Sequence, residues 1–166
     1  LLFLPYLLGE RAPVWDARAR GALVGLTMHH KKEHIARASV EGICFVLNQL
    51  IRSLEERSRI AMKDIFISGG FIQSSFWVQL LADITGKRLH VTASADASAL
   101  GAAFMGMFVT GHLNSFAEIK KYIHLVSLYE PEAKKHEAYK DLSAMFDTIY
   151  PKLKESFSAL SRLNKN

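Results

Sequence analysis

Cysteine is nearly missing from this chain: one residue, Cys44, among 166. A single thiol cannot close a disulfide within the chain, so a small disulfide-stapled fold is excluded, and the scarcity fits a reducing, cytoplasmic setting. Cys44 falls in GICFVL on an apolar helical stretch, where a small buried residue is expected rather than a nucleophile. A membrane-length run is also missing. The opening LLFLPYLL has eight residues with Pro5 inside it, against the roughly 20 that a spanning helix needs. It has no preceding basic residues and no small-residue cleavage site behind it, so it does not read as a signal peptide. Charge of one sign is only mildly in excess, 21 Lys and Arg against 16 Asp and Glu. The basic residues are spread out without an arginine-rich block, so no nucleic-acid partner is expected, and no membrane. Neither a Walker A lysine motif nor G-x-G-x-x-G occurs, which leaves a P-loop kinase or a Rossmann dehydrogenase without support.

What is present is an ordinary globular balance, 49% apolar and 22% charged. A chain of this length is about one domain and can bury roughly two-thirds of its unfolded surface. Leu1 to Leu8 reads as a buried strand with Pro5 at a bend or its end, cut from a longer chain whose partner strands lie upstream. Gly9 to Gly21 reads as a long ordered loop anchored by Trp15. From about Lys32 to Arg59, Ile35, Ala38, Gly42, Phe45, Leu47, Leu50 and Leu54 recur at helical spacing. Asp64 to Ser68 is a short apolar run ending at Gly69-Gly70, the pattern of a buried strand. Ser74 or Ser75 caps the next helix, through Trp77, Leu80, Leu81 and Ile84, which Gly86 ends. Arg88 to Thr92 is a strand, and Ser94 or Asp96 caps a helix from about Ala97 to Thr110, closed by Gly111. Strand, helix, strand, helix in that order implies parallel pairing through right-handed crossovers. From Pro131 on, Leu142, Phe146, Ile149, Leu153, Phe157 and Leu160 form a helical stripe, with Pro151 starting a new helix or kinking the existing one.

The strongest local candidate for chemistry is Ile67 to Trp77, ISGGFIQSSFW. A strand delivers two glycines and a helix begins a few residues later. Glycine lets a phosphate or nucleoside approach the backbone, and a helix start offers free N–H groups and a positive dipole end. A tight turn that only glycine fits stays open with about equal weight. His30 and His34 are four apart, as metal ligands can be, yet Lys31 and Lys32 would repel a cation, so His29, His30 and His34 read as a solvated first turn. Glu10, Arg11 and Asp16 either touch a substrate or pin their loop through a carboxylate pair, the structural role slightly ahead. Gly101, Ala102, Ala103 and Gly106 most simply allow close packing of a helix on a sheet.

Taken together, YLLGERAPVWD with ARGALVGLT, HIARASVEG, ISGGFIQSSFWVQLLADITG and ASALGAAFMG resemble the C-terminal domain of the FGGY family of carbohydrate kinases. Gly21-Ala-Leu-Val-Gly25-Leu26, seven residues, then His34-Ile-Ala-Arg-Ala-Ser-Val-Glu41 follow the family's second signature. The loop FLPYLLGERAPVWD is most similar to gluconate kinases and less so to xylulose kinases. The resemblance implies an α/β, actin-like and ribonuclease H-like domain. Residues 1–112 would form the nucleotide-side domain, lacking its first strands, and residues 113–166 a helical extension packed on it. It implies ATP and Mg2+ as cofactors and a small sugar or sugar acid as substrate, gluconate giving 6-phosphogluconate first. Xylulose or another FGGY sugar is the alternative, and a non-catalytic actin-like module a further one. Carried over by position, Gly69 and Gly70 match glycines that border the nucleotide, and Ser74 a polar residue near the adenosine end. The family's general base, an aspartate, has no match here and would lie upstream. So would the phosphate loop, the metal carboxylates and most sugar contacts of the N-terminal domain. No catalytic residue and no metal ligand is therefore assigned within this chain, and the 166 residues alone are expected to be inactive. The C-terminal stripe would pack on its own domain or on a second subunit, as a homodimer.

Overall fold

Pro5 ends the first strand, β1 (Leu2–Leu4), whose Leu2 and Leu4 are buried. The computed structural model describes residues 1–93 and 96–163. β1 pairs antiparallel with β2 (Ala22–Val24), Leu2 opposite Val24 and Leu4 opposite Ala22, so the partner seen here lies downstream. The loop between them is tied together by the Glu10 and Asp16 backbones, which exchange two hydrogen bonds at 3.0 and 2.9 Å. Its expected anchor is not one. Trp15 is 73% exposed and takes a left-handed φ of 55°, which turns the indole to solvent. The anchor is Asp16 instead, whose carboxylate accepts the Tyr150 hydroxyl at 2.7 Å.

Helix α1 (Lys32–Ser58) is the long span the spacing predicts. Its buried line is Ala38, Gly42, Phe45 and Asn48 with Cys44, while Ile35 and Leu54 remain substantially exposed. Gly42 is where α1 meets β1: a Cβ there would stand 2.2 Å from the Phe3 carbonyl oxygen. Strand β3 (Asp64–Ile67) leads through a 3-10 turn (Gly70–Gln73) to α2 (Ser75–Thr85). Ser74 is the cap, accepting the Trp77 N–H, and Gly86 closes α2 with φ 67°. Strand β4 (Arg88–Thr92) then pairs parallel to β3, Ile65 opposite Leu89 and Ile67 opposite Val91, as the alternation of elements implies.

Helix α3 (Ala97–Val109) is capped by Asp96, which accepts the Ala99 N–H at 2.9 Å; the alternative cap, Ser94, lies outside the described residues. A second 3-10 turn (Phe116–Lys121) precedes β5 (Leu125–Tyr129), a strand the periodicity does not reveal. It pairs antiparallel with β4 across a register shift at Val91/Thr92, giving the order β3-β4-β5. Residues 113–166 are thus not helix alone, since β5 joins the sheet of the preceding segment. The small residues of α3 do not serve close packing on that sheet: a Cβ at Gly101 or Gly106 would meet no atom within 4 Å. Helix α4 (Ala133–Leu163) runs through Pro151, so no new helix starts there. Phe146 and Ile149 before the proline and Phe157 after it are all buried, so both halves face the core. α4 packs on α1 and α2, and the core lies among these three helices, β1 and the inner face of β4. β3 is an edge strand and only half covered: Ile67 is buried and Phe66 is 60% exposed.

Candidate functional site

The carboxyl ends of the parallel strands β3 and β4 point the same way, and the Gly69-Gly70 loop leaves the sheet there. Open α/β sheets offer their binding crevices at this edge. Gly69 has φ 102° and ψ 177°, a conformation closed to other residues. Gly70 has no such constraint. A Cβ at either position would find no atom within 4 Å, so the space over the loop is open. The 3-10 turn carries the chain to Ser74, whose Oγ accepts the Trp77 N–H at 3.4 Å. That bond uses one acceptor position and leaves the hydroxyl proton free to donate. The structure therefore brings Gly69, Gly70 and Ser74 into one segment between the end of β3 and the amino end of α2.

Beside this loop is an apolar cavity of about 530 Å3, lined by Ser68 and Thr92 at the strand ends and by Phe66, Leu100, Phe104 and Ile119. Ser68 borders it, but Gly69, Gly70 and Ser74 do not. Its few polar groups make it a poor host for a phosphate, and the glycine loop, not the cavity, is the better candidate for an anion.

A further cluster meets the amino end of α2. On α1, Arg37 Nε donates to Glu41 Oε1 at 2.8 Å, and an Arg37 terminal nitrogen donates to the Tyr139 hydroxyl at 2.8 Å. The Tyr139 hydroxyl donates in turn to Glu41 Oε1 at 2.7 Å. Burial and the Glu41 carboxylate push the Tyr139 phenol up to about 12. The Arg37 guanidinium carbon sits 5.2 Å from the centre of the Phe76 ring, on the first turn of α2. Sequence reasoning placed Arg37 and Glu41 in the signature but missed this cluster. Their four-residue spacing was visible; Tyr139, 98 positions beyond Glu41, was not.

The histidines are held by the backbone. The Thr27 N–H donates to His30 Nδ1 and the Lys31 N–H donates to His34 Nδ1, both at 2.9 Å. Each ring thus accepts a backbone N–H within its own turn. Among the described residues, no group of three or more His, Cys, Asp or Glu could hold a metal ion. Cys44 is buried, and burial pushes its thiol up to about 12, the opposite of an activated nucleophile. In the 9–21 loop, the Tyr150 hydroxyl and the Arg18 N–H hold the Asp16 carboxyl below its usual range. Glu10 bonds the Arg11 N–H at 2.9 Å. The charged group pins its loop, through Tyr150 rather than through Arg11.

The C-terminal domain of the FGGY family of carbohydrate kinases matches residues 1–110. A gluconokinase of Bacillus licheniformis is 34% identical over 166 residues, all of this chain and 32% of that protein. A xylulose kinase of Bacillus subtilis is 33% identical over 167 residues, again all of this chain and 33% of that protein. Among solved structures, gluconate kinase from Lactobacillus acidophilus superposes with a TM-score of 0.89 at 35% identity, over 96% of this chain and 32% of that one. Xylulose kinase from Rhodospirillum rubrum gives 0.80 at 26%, over 95% and 31%. The chain spans about a third of the length of the curated relatives it matches.

Proposed function

Because the chain belongs to the FGGY family of carbohydrate kinases, with the actin-like, ribonuclease H-like fold of its structural neighbours, we propose that it is the nucleotide-side part of a longer enzyme. That enzyme transfers the γ-phosphoryl group of ATP to a hydroxyl of a sugar or sugar acid, in a cytoplasmic setting. The observation that supports the nucleotide assignment is the loop at the end of β3. Gly69 is held at a φ only glycine accepts, and open space stands over both glycines at the amino end of a capped helix.

ATP with Mg2+ supplies the transferable phosphoryl group and charge neutralisation when bound. Gly69 and Gly70 would border the nucleotide, their hydrogens leaving room where a side chain would intrude. Ser74 would donate its free hydroxyl proton toward the adenosine end. In the reaction, the sugar oxygen attacks the γ-phosphorus and the bond to the β-phosphate oxygen breaks. The hydroxyl proton passes to a base, for which this chain offers no candidate. Positioning and charge stabilisation carry most of such catalysis, and half a cleft provides neither. The 166 residues alone are therefore expected to be inactive, with the base upstream near the start of the same domain and most of the sugar site in the N-terminal domain of the longer enzyme.

Gluconate, giving 6-phosphogluconate, is the favoured substrate, supported by the similarity to gluconokinases and by the FLPYLLGERAPVWD loop. Xylulose is the second reading, since a xylulose kinase matches at nearly the same identity. Sugar-dependent ADP formation by the full-length protein, with gluconate, xylulose, glycerol and fuculose, decides between them. Turnover of gluconate well above the rest is expected, and no rate with gluconate removes the narrower reading. No rate with any sugar favours a non-catalytic actin-like module. A homodimer through α4, where Leu142 and Leu160 are exposed, would appear as a doubled mass in solution.

Gly70→Val tests the loop. Its Cβ meets no protein atom, so the fold should tolerate it. ATP affinity should fall about tenfold, roughly 1.4 kcal/mol, with the sugar KM unchanged. Unchanged nucleotide affinity would reduce the loop to a turn.

A further inference from the structure

One guanidinium joins the three packed helices of this chain. Arg37 on α1 is fixed in orientation by Glu41, four residues on, and by Tyr139 on α4. Its remaining face lies against Phe76, on the first turn of α2 and two residues past Ser74. Phe76 is 50% exposed, so core burial alone does not set its ring. A half-exposed aromatic is a mobile group unless something holds it, and the delocalised cation over its face does so. Lysine could keep the charge at position 37. It could not reach a carboxylate and a hydroxyl in one plane while also facing a ring.

We propose that Arg37 is a positioning residue for the nucleotide. By gripping Phe76 it fixes the first turn of α2, and with it the Gly69 to Ser74 loop that this turn continues. Glu41 and Tyr139 orient the guanidinium and so act at one remove. This rests on the reading of Gly69, Gly70 and Ser74 as the nucleotide border. It adds a residue that touches neither the loop nor, in that reading, the ligand. α1 and α4 thereby set the geometry of a site built on another helix.

The test uses the full-length protein. ATP dissociation constants are measured by calorimetry without sugar, alongside KM for both substrates and Tm. The variants are Arg37→Lys, Phe76→Leu, their double, and the conservative Phe76→Tyr. Arg37→Lys and Phe76→Leu should each weaken ATP about threefold, the size of one cation–π contact at a half-exposed site. The sugar KM should stay constant. The double variant should be no weaker than either single, because both remove one contact. Phe76→Tyr should bind ATP as the wild type does. Unchanged ATP affinity, equal loss for ATP and sugar, or additive losses in the double variant would each overturn the proposal. Should Arg37→Lys fold poorly, the surface change Phe76→Leu carries the measurement alone. A wild-type protein that binds no ATP would overturn the nucleotide reading and the proposal with it. Wild-type binding with unchanged variants overturns the positioning role only.

Discussion

Asp16 shows how one side chain can hold a loop that its own neighbours cannot. Its carboxylate accepts the Tyr150 hydroxyl at 2.7 Å and the Arg18 N–H at 2.8 Å in a nearly buried position. Both bonds favour the ionised form and hold the carboxyl below its usual range. The stability it contributes is therefore complete above the unfolded carboxylate value, about 3.9, and is lost as pH falls through the lower folded value. Asp16→Asn should cost about 1–3 kcal/mol at pH 7, and the gap to wild type should narrow at acid pH, below the usual carboxylate value. Urea unfolding at the two pH values reads both; a gap independent of pH would mean that the charge is irrelevant. The sequence marks Glu10, Arg11 and Asp16 as a charged group that either touches a substrate or pins its loop. It could not show that the partner is Tyr150, 134 positions away. Trp15 failed as an anchor for a related reason: a large aromatic in a loop suggests burial, but its direction is set by φ, here 55°. Gly69 and Ser74 were legible because their roles, a left-handed φ and a helix cap, depend on residues within a few positions.

At the scale of elements, two glycines in helices have opposite expected effects. α1 is pressed onto β1 at Gly42, where a Cβ would meet the Phe3 carbonyl oxygen at 2.2 Å. Gly42→Ala must push strand and helix apart, at a cost of about 1–3 kcal/mol for overpacking. Gly101 sits in the interior of α3 with open space around it. Gly101→Ala should stabilise by up to about 1 kcal/mol through helix propensity alone. Denaturant midpoints of the two variants should move in opposite directions at constant slope, and a shared direction would contradict the packing described here. Both glycines lie in apolar helical patterns and look alike in sequence, because periodicity reports which face is apolar and not what stands against it. The same limit hid β5. Leu125 to Tyr129 is a short apolar run whose first four residues are exposed, so no alternation of buried and exposed positions marks it. The parallel β3-α2-β4 unit was legible because its turn glycines, its cap and its two strand patterns all agree.

The whole molecule has a covered side and an uncovered one. α2 lies over the inner face of the sheet, with Leu89 and Val91 buried beneath it. On the outer face, register places Phe66, His90 and Leu128 side by side across all three strands. The Phe66 and His90 rings stack at 5.1 Å, and Phe66 and Leu128 remain open to solvent. α3 adds Met105, Phe108 and Val109, the last 81% exposed. Monomeric proteins seldom leave apolar surface of this extent uncovered, and the matching relatives are about three times the length of this chain. If the outer sheet face and α3 are covered by the rest of a kinase, the 166 residues alone should bind an apolar dye such as anilinonaphthalene sulfonate. They should also associate with rising concentration, while the full-length protein does neither. Phe66→Ser together with Leu128→Ser changes only exposed positions on that face, so it should reduce both dye binding and association of the isolated chain. An isolated chain that stays dark and monomeric in dye fluorescence and light scattering would mean that this face is stable against water. The covering role assigned to the rest of a longer kinase would then be wrong.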